Sequence, residues 1–260
     1  DATIRASECT PIGEYPIIFE TEVNDITITD TFTLVVDTTR YVFAESDSTI
    51  NLYEEIETPE CPVAVEFVVP NGIVIGGERD NLSPAMTTGF FLPGSYVGIT
   101  IENGGYVVGK GGNGGGTEGY TVNIGIFREC PNAGGMDGGP ALRLDYDGVV
   151  IRNDGTLAGG GGGGGSGSQT STVNFCTAAL DGGGGGGGAG SPAGVGGRFE
   201  DSDVNVNPPT NGEAGMLDTG GAGGVGGREE CTVIIIPEQV FAGDGGDGGD
   251  LGQAGATGTG

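Results

Sequence analysis

Histidine and tryptophan are absent from the 260 residues, and nine lysines and arginines face 36 aspartates and glutamates, a net charge of −27. Without histidine neither a Ser-His-Asp nor a Cys-His arrangement can be assembled, and the usual zinc patterns are missing. So few cations cannot line a groove for nucleic-acid phosphates, and anionic membrane surfaces are disfavoured for the same reason. No stretch reaches 18 apolar residues and the start is not signal-like, so no membrane insertion is expected. The five cysteines, Cys9, Cys61, Cys130, Cys176 and Cys231, are far apart and form no Cys-x-x-Cys pair. Their odd number leaves at least one thiol free or intermolecular, and Cys9–Cys61 is one pairing open to the N-terminal part. Asp1 stands where an initiator methionine would, which suggests a processed chain or a fragment. The acidity itself reads as solubility for an aggregation-prone backbone.

Glycine is what the chain has instead. Of its 59 glycines only seven lie at or before Gly98. Gly159–Gly165 and Gly182–Gly188 are uninterrupted, and looser runs cover Gly109–Gly116, Gly220–Gly227 and Gly243–Gly249. Such tracts are poor helices, since glycine costs about 1 kcal/mol against alanine in a helix interior. They are poor strands too, having no side chains to pack. A flexible linker or a left-handed polyproline-II-type helix remains. Linkers occur once or twice; five runs of similar length flanked by apolar residues favour packed polyglycine-II helices. These would bond sideways through every backbone N–H and C=O. Gly111, Gly112, Gly114, Gly161, Gly162, Gly184, Gly185, Gly223 and Gly224 are the expected scaffold positions.

The composition divides the chain near residue 98. Residues 1–98 read as a β-rich domain for attachment or assembly, such as a small sandwich. Ile26–Leu34 alternates with period two, Arg40–Ala44, Thr49–Tyr53 and Val63–Val69 continue the pattern, and Pro70-Asn71-Gly72 marks a turn. Residues 99–260 read as a glycine-rich scaffold, so the fold class is mainly β and irregular. Ile101–Gly109 repeats as Ile151–Gly159, both Ile-x-Asn-x-Gly-x-(Val/Leu)-x-Gly, with a degenerate third copy at Ile235–Gly243. Repeats that cannot bury their own faces imply stacking. Between the tracts, Thr117–Ala133, Gln169–Ala179 and Phe199–Leu217 are polar inserts carrying Tyr120, Phe127, Phe175 and Phe199. Loops on a rigid scaffold are where binding resides, so these aromatics are the candidate contact residues.

Other chemistry is weak. Gly-x-Gly-x-x-Gly matches mean nothing in so glycine-rich a chain, and Gly104–Lys110 fails as a phosphate loop because Gly111 stands where Ser or Thr should. Asp145 and Asp147 read as an exposed structural pair rather than an acid–base couple. Asp244, Asp247 and Asp250 recur every third residue, which suits one solvated edge of a polyglycine helix, although their oxygens leave a calcium site open. No enzyme, cofactor or resident metal is expected.

Val107–Gly115, Gly138–Leu144 and Ile151–Gly159 together resemble the glycine-rich distal tail-fibre adhesins, the receptor-recognition proteins of T-even-like bacteriophages, over about residues 95–260. The resemblance implies a virion protein at the fibre tip, mounted on a fibre shaft through its N-terminal domain. It also implies stacked polyglycine-II layers whose intervening loops bind a bacterial outer-surface protein or glycan. A structural subunit of an extracellular filament or sheath, partnered through residues 1–98 by another copy of itself, is the alternative. An ice-binding protein is a third reading, against which the irregular inserts speak.

Overall fold

The computed structural model describes residues 13–23, 26–57, 59–78, 83–116, 134–167, 170–173, 176–180, 182–198, 207–233 and 236–259. Among them strands dominate, with one four-residue helical turn, in keeping with the β/irregular class. The described part opens with β1 (Gly13–Val23) and β2 (Ile26–Val36), an antiparallel hairpin in continuous register from Gly13↔Val36 to Val23↔Ile26.

From Thr39 the chain winds in a coil. β3 (Thr39–Val42), β4 (Asp47–Ser48) and β5 (Ile50–Asn51) make one turn, followed by α1 (Leu52–Glu55). β6 (Ala64–Val69), β7 (Val74–Gly76) and β8 (Met86–Thr87) make the second. β9 (Tyr96–Ile101), β10 (Tyr106–Val108) and β11 (Leu142–Arg143) make the third, and β12 (Val149–Asn153) and β13 (Thr156–Ala158) begin a fourth. Equivalent strands stack in parallel as β3-β6-β9-β12, β4-β7-β10-β13 and β5-β8-β11. The result is a three-sided parallel solenoid, not the small sandwich expected. Alternation of inward and outward residues is the same in both architectures, so periodicity alone could not separate them. The Pro70-Asn71-Gly72 turn is a corner from β6 to β7, with Gly72 at φ +81°, rather than a hairpin. β9 runs through residue 98 and bonds to β6 on one side and β12 on the other.

The solenoid is filled by side chains from all its faces. Val65, Phe67, Ile75, Met86, Val97, Ile99, Ile101 and Val107 are almost wholly buried in one cluster. Each such side chain contributes about 1.5–3 kcal/mol relative to exposure. Tyr41, Phe43 and Phe67 form an aromatic group with ring centroids 5.3–6.4 Å apart. The expected strand Thr49–Tyr53 is shortened to Ile50–Asn51. Asn51 caps α1, its side chain accepting the Tyr53 N–H at 3.3 Å, and Leu52 is fully buried. Cys61 is disulfide-bonded; Cys9 lies outside the described residues.

The internal repeat is a stacking unit, with a slip. Tyr106 pairs with Thr156, fifty residues on, but Ile99 rather than Ile101 pairs with Ile151. Four residues, Glu102–Gly105, join β9 to β10, whereas Asp154 and Gly155 alone join β12 to β13. Gly104 takes φ +82° in the longer turn, where a Cβ would strike the Asn71 side chain.

Asp145 fastens the β11–β12 connection to β8. The Thr87 hydroxyl donates to its carboxylate, Arg143 Nε lies 3.1 Å away, and the Asp145 N–H donates to Thr88 Oγ1 at 2.8 Å. The Thr87 hydrogen bond, helped by Arg143 and a Gly89 N–H and opposed by burial, holds the Asp145 carboxyl below its ordinary range. Its carboxylate, 16% exposed, is tied into the fold rather than exposed as expected.

Beyond the solenoid, glycine-bearing segments lie side by side. The central one, Gly182–Gly190, is buried along its whole length. From Gly183 to Ala189 every N–H donates and every C=O accepts, and the partner changes with a period of three. Gly183, Gly186 and Ala189 donate to Gly243, Gly246 and Gly249 at 2.9–3.0 Å; Gly184 and Gly187 donate to Thr210 and Glu213; Gly185 and Gly188 donate to Gly115 and Gly112. In return its carbonyls accept from Gly161, Gly164 and Gly167, from Gly194 and Gly197, and from Gly221 and Gly224. Six neighbours thus surround one segment. A Cβ on any residue from Gly183 to Gly188 would collide with a carbonyl oxygen across the gap.

Three outcomes are expected. Gly187→Ala, whose methyl would meet the Gly194 carbonyl, should cost several kcal/mol or prevent folding, while Gly134→Ala, with open space at its Cβ, should cost under about 1 kcal/mol. Thermal melts, with amide exchange over 183–189, measure both. Thr49 sits at φ +54° with a buried hydroxyl that has no hydrogen-bond partner. Thr49→Gly should therefore stabilise by about 1 kcal/mol in urea titration, although the added chain entropy opposes the gain. For Asp145 the folded pKa is depressed, so its contribution is complete above the unfolded value and disappears as pH falls through the folded one. Asp145→Asn should cost about 1–2 kcal/mol at pH 7 and progressively less as the pH is lowered through the folded pKa, as followed by urea unfolding at each pH.

Candidate functional site

The hydrogen-bond registers orient every segment of the glycine lattice. Residues 109–116 run antiparallel to Gly182–Gly190, because Gly185 bonds to Gly115 and Gly188 to Gly112. Residues 161–167, 192–198 and 219–227 are also antiparallel to the centre, whereas 210–216 and 243–249 are parallel to it. Residues 134–139 bond to Lys110 and Asn113 on one flank, and 253–259 bond to 244–250 on the other.

These directions send the long excursions to one end. Gly116 and Gly134, Gly167 and Gly182, Arg198 and Asn207, and Gly227 and Ala242 all lie at the end marked by Gly182. The opposite end, marked by Gly190, joins β10, β11 and β13 of the solenoid and also holds short turns such as 216–219 and 250–253. At roughly 3 Å per extended residue the two ends are about 25 Å apart. Two excursions include hairpins: β14 (Thr170–Val173) with β15 (Cys176–Leu180), and β16 (Arg228–Val233) with β17 (Ile236–Phe241). The third copy of the repeat, at 235–243, thus belongs to a hairpin arm rather than to a solenoid turn. A cavity of about 310 Å³ opens at this end, lined by Asn113, Gly116, Gly134, Met136, Val195 and Arg198. Asn113 Oδ1 accepts the Val195 N–H at 3.1 Å on its floor.

The candidate contact residues Tyr120, Phe127, Phe175 and Phe199 lie outside the described residues. The nine scaffold glycines lie in the lattice. Gly111 donates to Pro192, Gly112 to Gly161, Gly114 to Val195, Gly161 to Ala189 and Gly162 to Gln253, all within 2.8–2.9 Å. Gly184 donates to Thr210, Gly185 to Gly115 and Gly224 to Gly184. Gly223 instead donates to the Asp247 side chain at 2.8 Å.

That exception corrects the reading of the aspartate series. Asp244, Asp247 and Asp250 are exposed, but they are not merely solvated: their Oδ1 atoms accept the N–H groups of Gly226, Gly223 and Gly220 at 2.8–3.1 Å. Period three puts a carboxylate opposite Gly220, Gly223 and Gly226, one amide in each turn of the neighbouring segment. The insert expected over Phe199–Leu217 is also too long, since Thr210, Glu213 and Met216 accept from the central segment. Residues 134–139, 192–198, 207–216 and 253–259 were missed as lattice members. Their signal was glycine at every third position, as in Gly194/Gly197, Gly212/Gly215 and Gly255/Gly258, rather than a run. Lys110, the last residue of the phosphate-loop look-alike, is buried where β10 enters the lattice.

A family model described as phage tail fibre adhesin Gp38 matches residues 31–260. Among solved structures, the gp37–gp38 adhesin tip complex of the bacteriophage S16 long tail fibre is similar at 21% identity, covering 86% of this chain and 71% of that one with a TM-score of 0.46. No curated protein matches. With the family match extending from within β2 to residue 260, the chain belongs to the Gp38 family of phage tail fibre adhesins.

Proposed function

We propose that this adhesin recognises a bacterial surface protein or glycan through the excursions gathered at one end of its lattice, without enzymatic chemistry. The observation that carries the reading is their common exit, about 25 Å from the solenoid, on segments whose backbone bonds are satisfied laterally. The lattice segments act as polyglycine-II helices. The three-residue period of their bonding and the carbonyl contacts that exclude a Cβ support that assignment. A rigid base spends little on ordering the loops at binding. Several fibres per particle would turn weak contacts into avidity.

The division of labour follows the chain: residues 1–98 mount the protein on a fibre shaft at the virion's tail-fibre tip, and residues 99–260 carry recognition. Because β9 bonds across that boundary, the two parts transmit load as one body. Family membership favours a cap on a heterologous shaft over a self-assembling filament.

Tyr120, Phe127, Phe175 and Phe199 are assigned as contact residues. Replacing all four by alanine should lower adsorption to susceptible cells by at least about tenfold while leaving the melting temperature unchanged, as buried aromatic anchors dominate interfaces. Unchanged adsorption would discard the assignment.

A further inference from the structure

The cavity at the excursion end lies along one side of segment 109–116. Four segments bond to that one, 134–139, 159–165, 182–190 and 192–198, and the partner changes with period three. Gly112 and Gly115 donate to Gly161 and Gly164 and accept from Gly188 and Gly185; Asn113 accepts from Met136, and Gly114 donates to Val195. Among the described residues none accepts from the Asn113 or Gly116 N–H, and none donates to the Gly114 C=O. The period turns these three groups toward the remaining side, where the cavity opens between Met136 and Val195. Exposure follows the same rule: Gly112 and Gly115 are buried, whereas Asn113, Gly114 and Gly116 are partly open. Met136 and Val195 are each just over half exposed, and Arg198 is exposed at the same cavity.

We infer that this cavity seats an extended main-chain segment of a bacterial surface protein, laid as one more polyproline-II chain along 109–116 with a carboxylate side chain against Arg198. The inference rests on the surface-recognition reading above and chooses protein over glycan as its target. Spacing selects the occupant. Asn113 and Gly116 are three residues apart, about 9 Å at 3.1 Å per residue, and the carbonyls at i and i+3 of a polyproline-II chain have that separation on one side. Any main chain presents acceptors at this interval, whereas a glycan would have to match it through the particular substitution of its rings. Main-chain bonds then give affinity, and flanking side chains give selectivity. Met136 and Val195 offer apolar walls, and Arg198, one of nine cations in a chain of net charge −27, favours an acidic neighbour. The reach of the donors limits the seated part to about three residues, as at the tip of an exposed loop.

The test mixes the full chain with outer-membrane vesicles from susceptible cells, left intact, treated with proteinase K or oxidised with periodate. Amide exchange at Asn113 and Gly116 should slow at least about tenfold with intact and oxidised vesicles and stay unchanged with proteolysed ones. Gly134→Trp, at a position where an added Cβ meets nothing, should fill the cavity, remove that protection and weaken vesicle binding by at least about tenfold without lowering the melting temperature. Arg198→Glu should also weaken binding, by a factor that shrinks in about 0.5 M salt. Met216→Trp, exposed at the opposite end of the lattice, should bind as the unaltered chain does. Binding without protection of Asn113 and Gly116, or full affinity of Gly134→Trp, overturns the cavity assignment and leaves surface recognition standing. Protection that survives proteolysis and is lost on oxidation overturns the peptide in favour of a glycan. Failure of the unaltered chain to bind any vesicle overturns the recognition reading itself.

Discussion

Lateral hydrogen bonding between backbones, at a spacing that admits no side chain, is the constraint on which the rest of the molecule depends. Between Gly183 and Ala189 fourteen backbone groups are buried and all are bonded to other segments. A single bond of this kind nets only about 0.5–1.5 kcal/mol, but a buried group left unpaired costs about 1–3. The lattice is therefore cooperative by penalty: one segment displaced by a Cβ strands donors and acceptors on several neighbours at once. Apart from the buried Ala189 methyl, the central segment is an interior without side chains.

The two halves solve the same problem with different atoms. In the solenoid, parallel ladders satisfy the backbone along the stacking direction, and Val, Ile and Phe fill the inside. Where β10 and β13 pass into Gly109 and Gly159 the side chains vanish and each segment bonds to partners on several sides. The solenoid thus sets the starting positions of two lattice segments, with Val107 and Val108 buried at the junction. The described ends of the excursions, from Gly116 to Ala242, are thereby held at the far end.

At the lattice rim the bonding rule is kept by side chains. Asp244, Asp247 and Asp250 stand in for carbonyls where segment 219–227 has no further neighbour, and Thr210 Oγ1 does the same for the Val225 N–H at 2.7 Å. Part of the acidity that looked like generic solubility is therefore structural. It supplies acceptors where the lattice runs out of backbone.

Much of this was legible in the residues. The uninterrupted runs Gly182–Gly188 and Gly159–Gly165 mark the two segments bonded to the most neighbours, six and five. Segments with glycine at two or one of three positions, such as 219–227 and 210–216, bond to fewer neighbours. Local chemistry also sufficed for β3 and β6, within the expected Arg40–Ala44 and Val63–Val69, and for the stacking of the fifty-residue repeat, but not for β4, β8 or β9. What the tertiary structure alone decided was direction and partnership. The same alternating strands serve a sandwich or a parallel solenoid, and the same glycine tracts can run either way. Only the registers sent every long excursion to one end. Periodicity records which side of a segment is crowded; it carries no information about which distant segment does the crowding.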